Sequence, residues 1–126
     1  MTRVLLVDDH AILRAGVRSL LSREDDISVV GEAATGREAL NAVRSLSPHV
    51  VVMDIMLPDL NGIETARQLS RAGRCPRIVM LTAMVDRAYV ESALAAGALG
   101  YVTKGSVTEE LVRAVRAARQ GSNYLC

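Results

Sequence analysis

This chain of 126 residues lacks phenylalanine and tryptophan, and its only aromatic side chains are three tyrosines. Proteins that bind single-stranded nucleic acid usually stack the bases on aromatic rings, so we do not expect such a platform. The net charge of +1 also falls short of the basic excess that is typical of nucleic-acid-binding domains. The composition therefore argues against nucleic-acid recognition by these residues themselves.

Cysteine is scarce as well, with only Cys75 and Cys126. Neither belongs to a Cys-x-x-Cys pair or to a Cys/His ligand set, so we expect no zinc site and a reducing compartment. The first apolar run, residues 4–7, is too short for a signal peptide. No run approaches the roughly 18 apolar residues of a membrane-spanning helix. We therefore expect a cytoplasmic protein without a membrane segment.

Half of the residues are hydrophobic, which suffices for one core in a chain of this length. Short apolar runs alternate with helical patterns, near residues 3–7, 27–33, 50–53, 77–81 and 100–103. Continuous apolar runs are typical of parallel strands buried on both faces, and their alternation with helices is typical of α/β folds. We predict a doubly wound five-stranded parallel sheet with five helices over residues 1–121, followed by a linker or tail at residues 122–126.

The pattern alone does not separate one strand order from another, and the flavodoxin-like order 2-1-3-4-5 is the one that we predict. Side chains that suit helix N-caps precede four of the helical patterns: Thr35, Asn61, Asp86 and Ser106. Thr35 and Ser106 are each followed three residues later by glutamate, as in a capping box. Gly97 is suited to end the helix that follows Asp86.

Five polar residues follow or end predicted strands: Asp8, Asp9, Asp54, Thr82 and Lys104. The carboxyl ends of parallel strands meet at one edge of a sheet, where ligands bind in open α/β folds. Three carboxylates brought together repel one another unless a cation joins them or one is neutralised. The arrangement therefore predicts a Mg²⁺-dependent phosphoryl site.

Each of these side chains has an expected role. Mg²⁺ prefers oxygen ligands and keeps several waters, so we expect Asp9 and Asp54 to bind it directly and Asp8 to bind it through water. Lys104 and Thr82 would contact the phosphoryl oxygens. Asp54 is central between the other strand ends, which makes it the best acceptor for a phosphoryl group, giving an acyl phosphate.

Four segments carry a resemblance to a known family: residues 7–10 (VDDH), 52–62 (VMDIMLPDLNG), 81–83 (LTA) and 100–104 (GYVTK). Each is weak alone, and together they are specific. With them, the chain resembles the receiver domain of bacterial two-component response regulators over residues 3 to about 121. The resemblance implies that Asp54 accepts a phosphoryl group from a sensor histidine kinase. The further site residues that it implies are the metal-binding Asp8, Asp9 and Met56 carbonyl, and the switch pair Thr82 and Tyr101.

Residues 8–16 and 121–125 are similar to one subfamily, the transcriptional regulators with a C-terminal helix-turn-helix of the quorum-sensing-regulator type. The sequence ends where the linker of that subfamily begins, which suits either an isolated receiver or a single-domain protein. This resemblance implies contact with DNA through a C-terminal domain absent here. It also implies a phosphorylation-dependent homodimer, formed by the helix near 108–120 with either the first helix or the strand at 100–103.

Gly105 follows Lys104, where many receivers have a proline after a cis peptide bond. A cis bond before a residue other than proline costs about 2.5–4 kcal/mol, so the cis geometry is not carried over. His10 follows the acid pair. Of its two possible roles, contact with the site or the start of the first helix, we expect the second.

The rival interpretation is an enzyme, a Mg²⁺-dependent phosphohydrolase of the haloacid-dehalogenase type. That class uses an aspartate nucleophile with a second carboxylate two residues later, and here that position is Met56. We therefore expect no turnover beyond phosphoryl transfer to Asp54 and slow self-dephosphorylation. Met56 and Met84, two residues after Asp54 and Thr82, have no group that could act as a general base toward water, so we expect them to slow that loss.

Overall fold

The computed structural model describes residues 1–71, 76–84 and 86–125. Cys75 and Cys126, for which we expect no zinc site, lie outside the described residues. Among the described residues, no helix combines the length and the apolar character needed to cross a bilayer.

The centre of the domain is a parallel sheet whose strand order confirms the prediction of 2-1-3-4-5. The five predicted strands are β1 Thr2–Val7, β2 Ile27–Ala33, β3 Val50–Met53, β4 Arg77–Thr82 and β5 Gly100–Thr103. The middle strand β3 is buried along its whole length, because neighbouring strands and helices surround it. This explains why its sequence is a continuous apolar run rather than an alternating one.

Five helices cover the two faces of the sheet: α1 Ala11–Ser22, α2 Gly36–Leu46, α3 Gly62–Arg71, α4 Arg87–Ala95 and α5 Val107–Arg119. Successive side chains of a strand point to opposite faces, so β1 contributes to two cores. Leu5 and Val7 pack with α2, α3 and α4, whereas Val4 and Leu6 pack with α1 and α5. This doubly wound arrangement is the predicted fold.

Two of the four predicted N-caps form side-chain hydrogen bonds. The Thr35 hydroxyl accepts from the Glu38 amide at 3.1 Å, and the Asn61 side chain accepts from the Ile63 amide at 2.7 Å. The expectation for the other two was wrong: Asp86 and Ser106 precede α4 and α5 without a side-chain cap. Ser106 instead ends a short 3-10 turn and accepts from the Thr103 hydroxyl, which removes the extended backbone that a cap requires.

The last residues behave differently from the predicted exit. Gly121 ends α5 with a φ of +82°, as expected for a helix stop, and Tyr124–Leu125 then forms a sixth strand, β6, parallel to β5. The Tyr124 amide donates to the Leu99 carbonyl at 2.9 Å, and its hydroxyl hydrogen-bonds to Glu110. A strand of two residues has no periodic pattern, which is why the sequence did not predict it.

Candidate functional site at the carboxyl edge of the sheet

The strand register brings the predicted site residues to one edge. Val7 pairs with Met53, which pairs in turn with Met80, so Asp8 and Asp54 leave neighbouring strands side by side. The Asp54 amide donates to the Val7 carbonyl at 3.0 Å, which extends the contact between β1 and β3 past the strand ends. Both carboxylates are buried, with residue exposures of 7% for Asp8 and 3% for Asp54.

Lys104 joins the two buried carboxylates. Its Nζ lies 2.7 Å from Asp54 Oδ2 and 3.4 Å from Asp8 Oδ2. Burial by itself lowers the pKa of Lys104, but the hydrogen bond and charge of Asp54, with those of Asp8, outweigh it and raise the pKa above its ordinary value. The lysine is thus a fixed cation at the site. Every peptide bond between described residues is trans, including the one from Lys104 to Gly105.

Asp9 and His10 complete a cluster of possible metal ligands with Asp8 and Asp54. One ligand atom from each of the four side chains can be chosen so that all lie within 4.8 Å of one another. Oxygen atoms dominate this donor set, and hard divalent cations such as Mg²⁺ prefer such sets. The residues present therefore fit a divalent cation.

The second oxygen of Asp54 is also held. Asp54 Oδ1 accepts from the Met56 amide at 3.2 Å, so the loop after β3 holds one carboxylate oxygen and Lys104 holds the other. Met56 itself is 54% exposed. The role of the Met56 carbonyl as a metal ligand stays a prediction.

Thr82 and Tyr101 are linked through the backbone of Met84. The Met84 amide donates to Thr82 Oγ at 3.2 Å, and the Tyr101 hydroxyl donates to the Met84 carbonyl at 2.6 Å. Tyr101 is buried, and this burial, followed by the negative charges of Asp54 and Asp86, raises the pKa of its phenol. The phenol is therefore a protonated donor at neutral pH, held inward against the loop after β4.

Two residues, His10 and Arg14, make contacts around the acidic cluster that were not predicted from the sequence. His10 does begin α1, but its side chain makes no cap. Its Nδ1 lies 3.2 Å from Asp8 Oδ1 and 3.3 Å from Asp9 Oδ1. Arg14, four positions later, donates to the Asp8 carbonyl and pairs with Glu32 at 2.7 Å, so it ties the acid-bearing loop to β2. The available signal was the position of His10 directly after the acid pair, which does not by itself fix where the ring points.

Gly62 positions Asp54 by close packing of backbone. A Cβ at Gly62 would lie 2.2 Å from the Asp54 carbonyl oxygen and 2.8 Å from Ile55 Cα. We expect Gly62→Ala to lower the free energy of unfolding by at least about 2 kcal/mol, since backbone atoms cannot move aside as a flexible side chain can. Urea denaturation measures the change.

Gly16→Ala is the matched control for that substitution. A Cβ at Gly16, inside α1, would meet nothing within 4 Å. Alanine there should stabilise the domain by about 0.5–1 kcal/mol, because glycine is unfavourable inside a helix. If Gly62→Ala proved as stable as wild type, close packing would not explain the glycine.

Comparison with known proteins identifies relatives of this chain. The family model described as the response regulator receiver domain matches residues 4–116. The chain is 40% identical over 125 residues to the transcriptional regulatory protein LiaR of Bacillus subtilis, covering 99% of this chain and 59% of that protein. It is 38% identical over 125 residues to the response regulator UvrY of Escherichia coli, covering 99% of this chain and 57% of that protein.

A solved structure is similar to the whole chain. It is a two-component response regulator of the LuxR family from Aurantimonas sp. SI85-9A1, with a TM-score of 0.94 and 41% identity, and the match covers 98% of this chain and 89% of that one. The curated relatives above are longer, and this chain spans less than two thirds of their length. The resemblance inferred from the four sequence segments is thus confirmed.

Proposed function

This chain belongs to the family of response regulator receiver domains, and from that premise we propose that Asp54 is its phosphoacceptor, loaded by a sensor histidine kinase. The observation that carries the proposal is the position of Lys104 Nζ, 2.7 Å from the buried Asp54 carboxylate. A buried carboxylate beside a fixed cation is poised to accept a group whose oxygens are negatively charged.

Phosphoryl transfer follows from these positions. An oxygen of Asp54 attacks the phosphorus, the bond from phosphorus to the donor histidine nitrogen breaks, and that imidazole keeps the bonding electrons and takes up a proton. Mg²⁺, held by Asp9, Asp54 and the Met56 carbonyl, with Asp8 acting through water, would supply the charge that lets two anions approach. Lys104 then shifts from the carboxylate to the new phosphoryl oxygens.

The switch follows from the chain of bonds at Met84. Phosphoryl oxygens are strong acceptors and draw the Thr82 hydroxyl, as a donor, toward Asp54. This movement of the side chain lengthens the bond in which the same hydroxyl oxygen accepts from the Met84 amide. Because Tyr101 holds the Met84 carbonyl, the change passes to the loop after β4. Because the ring of Tyr101 is already buried, the switch moves the loop after β4 and does not require the ring to rotate inward from an exposed position.

The wider role concerns a longer protein. We propose that the domain works in the cytoplasm within a two-component system and that a C-terminal domain outside residues 1–126 contacts DNA. The similarity to LiaR, a transcriptional regulatory protein, and to the response regulator of the LuxR family supports this role.

We also propose that phosphorylation promotes a homodimer in which α5 packs against α1 of the second copy. The alternative partner surface, β5, has its edge occupied by β6 at Gly100 and Tyr101. Residues 1–121 would be the receiver and residues 122–126 the start of a linker or a C-terminal tail, of which Tyr124 and Leu125 pair with β5.

Intact mass after incubation with acetyl phosphate tests the proposed function. We expect one phosphoryl group per chain with Mg²⁺ and none when EDTA removes the metal. The same sample is then given p-nitrophenyl phosphate. Sustained release of p-nitrophenol would favour the phosphohydrolase instead, and failure to gain any phosphoryl group would contradict the receiver assignment.

Persistence of the phosphorylated state depends on Met56 and Met84. Hydrolysis requires a water in line behind the phosphorus. The bulky apolar methionine side chains shield that position, and a thioether can neither orient the water by a strong hydrogen bond nor act as a general base toward it. We expect Met56→Asn and Met84→Glu each to release phosphate faster than wild type by about tenfold, the effect of one hydrogen bond of about 1.4 kcal/mol to the attacking water. Phosphate release from the purified phosphorylated domain measures the rates, and Leu46→Asn controls for the same apolar-to-amide exchange elsewhere. Equal rates in all variants would show that the methionines do not set the lifetime.

A further inference from the structure

His10 places an imidazole nitrogen against the acidic cluster. Its Nδ1 is 3.2 Å from Asp8 Oδ1 and 3.3 Å from Asp9 Oδ1, while its side chain remains 65% exposed. The Asp8 carboxylate also accepts from the His10 amide at 2.8 Å, so the backbone fixes this residue beside the cluster. The side chain is not used as a helix cap.

These distances suit neighbouring ligands of one metal ion. With bonds of about 2.1 Å, adjacent ligand atoms of an octahedral ion lie about 3.0 Å apart and opposite ones about 4.2 Å apart. The two distances from Nδ1 are close to the first value, and atoms of all four side chains lie within 4.8 Å of one another. The imidazole is therefore within reach of an ion that Asp9 and Asp54 bind.

We propose that His10 is a direct ligand of this metal site and shifts its preference from Mg²⁺ toward first-row transition ions. The inference rests on the proposed function only for the existence of a divalent site. Mg²⁺ is a hard ion that favours oxygen ligands, whereas imidazole nitrogen favours Co²⁺, Ni²⁺ and Zn²⁺. One nitrogen among carboxylate oxygens thus raises the affinity for those ions and leaves that for Mg²⁺ nearly unchanged.

A purely structural role for His10 has a different consequence. If its ring only hydrogen-bonds to Asp8 and Asp9, then its loss misplaces both carboxylates and lowers the affinity for every divalent ion by a similar factor. The ratio of two metal affinities separates these roles, since misplaced carboxylates cancel from the ratio. Asparagine at position 10 still supplies a side-chain hydrogen-bond donor and is favourable at the start of a helix, but it lacks the imidazole nitrogen.

The experiment compares Co²⁺ and Mg²⁺ binding to the unphosphorylated chain by calorimetry. Cys75→Ser and Cys126→Ser form the background, because thiols also bind Co²⁺. We expect His10→Asn to lower the ratio of Co²⁺ to Mg²⁺ affinity by at least about tenfold, with the Mg²⁺ affinity almost unchanged. Replacement of the other histidine, His49→Asn, should leave the ratio as it is.

A spectroscopic signature gives an independent readout. With Co²⁺ bound, an imidazole ligand shows strongly shifted ring-proton resonances, which we expect in wild type and not in His10→Asn. Either an unchanged affinity ratio or the absence of those resonances from wild type would overturn the inference. A chain that bound neither ion would contradict the proposed receiver function itself, whereas Mg²⁺ binding with an unaltered ratio would contradict only the role of His10.

Discussion

Replacing Asp54 with asparagine is expected to abolish phosphorylation of this domain. The amide keeps the size of the side chain and its bond to the Met56 amide, but it loses the negative charge and the nucleophilic oxygen that form the acyl phosphate. Intact mass after treatment with acetyl phosphate and Mg²⁺ should show one phosphoryl group on wild type and none on the variant.

Asp59→Asn is the matched control for Asp54→Asn. Asp59 lies in the same loop after β3, but its carboxylate accepts from the amides of Gly36 and Arg37 at 2.8 and 3.1 Å rather than facing Lys104. This variant should gain one phosphoryl group as wild type does. A phosphoryl group on Asp54→Asn would assign the acceptor to another residue.

Removal of Asp9 is expected to weaken Mg²⁺ binding more than removal of Asp8. The Asp9 side chain is partly exposed and not engaged by Lys104, so it is available as a direct ligand. Asp8 is already bound to Lys104 and to the His10 amide, which suits a role through water. We expect Asp8→Ala to lower the affinity about tenfold, a loss typical of outer-shell residues, and Asp9→Ala to lower it about tenfold further.

Calorimetric titration of both variants with Mg²⁺ measures these losses. Asp25→Ala, which removes an exposed carboxylate after α1, should bind Mg²⁺ like wild type and controls for the change in net charge. Equal losses for Asp8→Ala and Asp9→Ala would remove the distinction between a direct and a water-mediated ligand.

The sheet could be predicted from the sequence because its strands are buried on both faces. A run such as residues 50–53 is too short for a buried helix, so its length and its place between two helical patterns favour a strand, and β3 begins and ends where predicted. Residues that follow such strands are fixed in space by the sheet, so Asp54 and Lys104 could be placed together although 50 positions separate them. Here the local pattern and the global fold agree.

What the sequence could not predict depends on contacts between distant backbone atoms. The 3-10 turn after β5 removes the cap expected at Ser106, and β6 pairs through an amide of Tyr124 that has no side-chain signal. The orientation of His10 is similar: a helix-start residue can face solvent or the site, and only the bend of the loop after β1 decides. The sequence also leaves open whether the Tyr101 ring points inward or outward. The hydrogen bond from its hydroxyl to the Met84 carbonyl holds it inward.

Chemical trapping of the phosphorylated residue tests most directly that Asp54 is the acceptor. Sodium borohydride reduces an acyl phosphate on aspartate to homoserine, and peptide mapping then locates the reduced position. After phosphorylation with acetyl phosphate and Mg²⁺, we predict homoserine at position 54 alone, and none when EDTA is present. Homoserine at position 8, 9 or 59 with aspartate retained at position 54 would contradict the proposed function of the site.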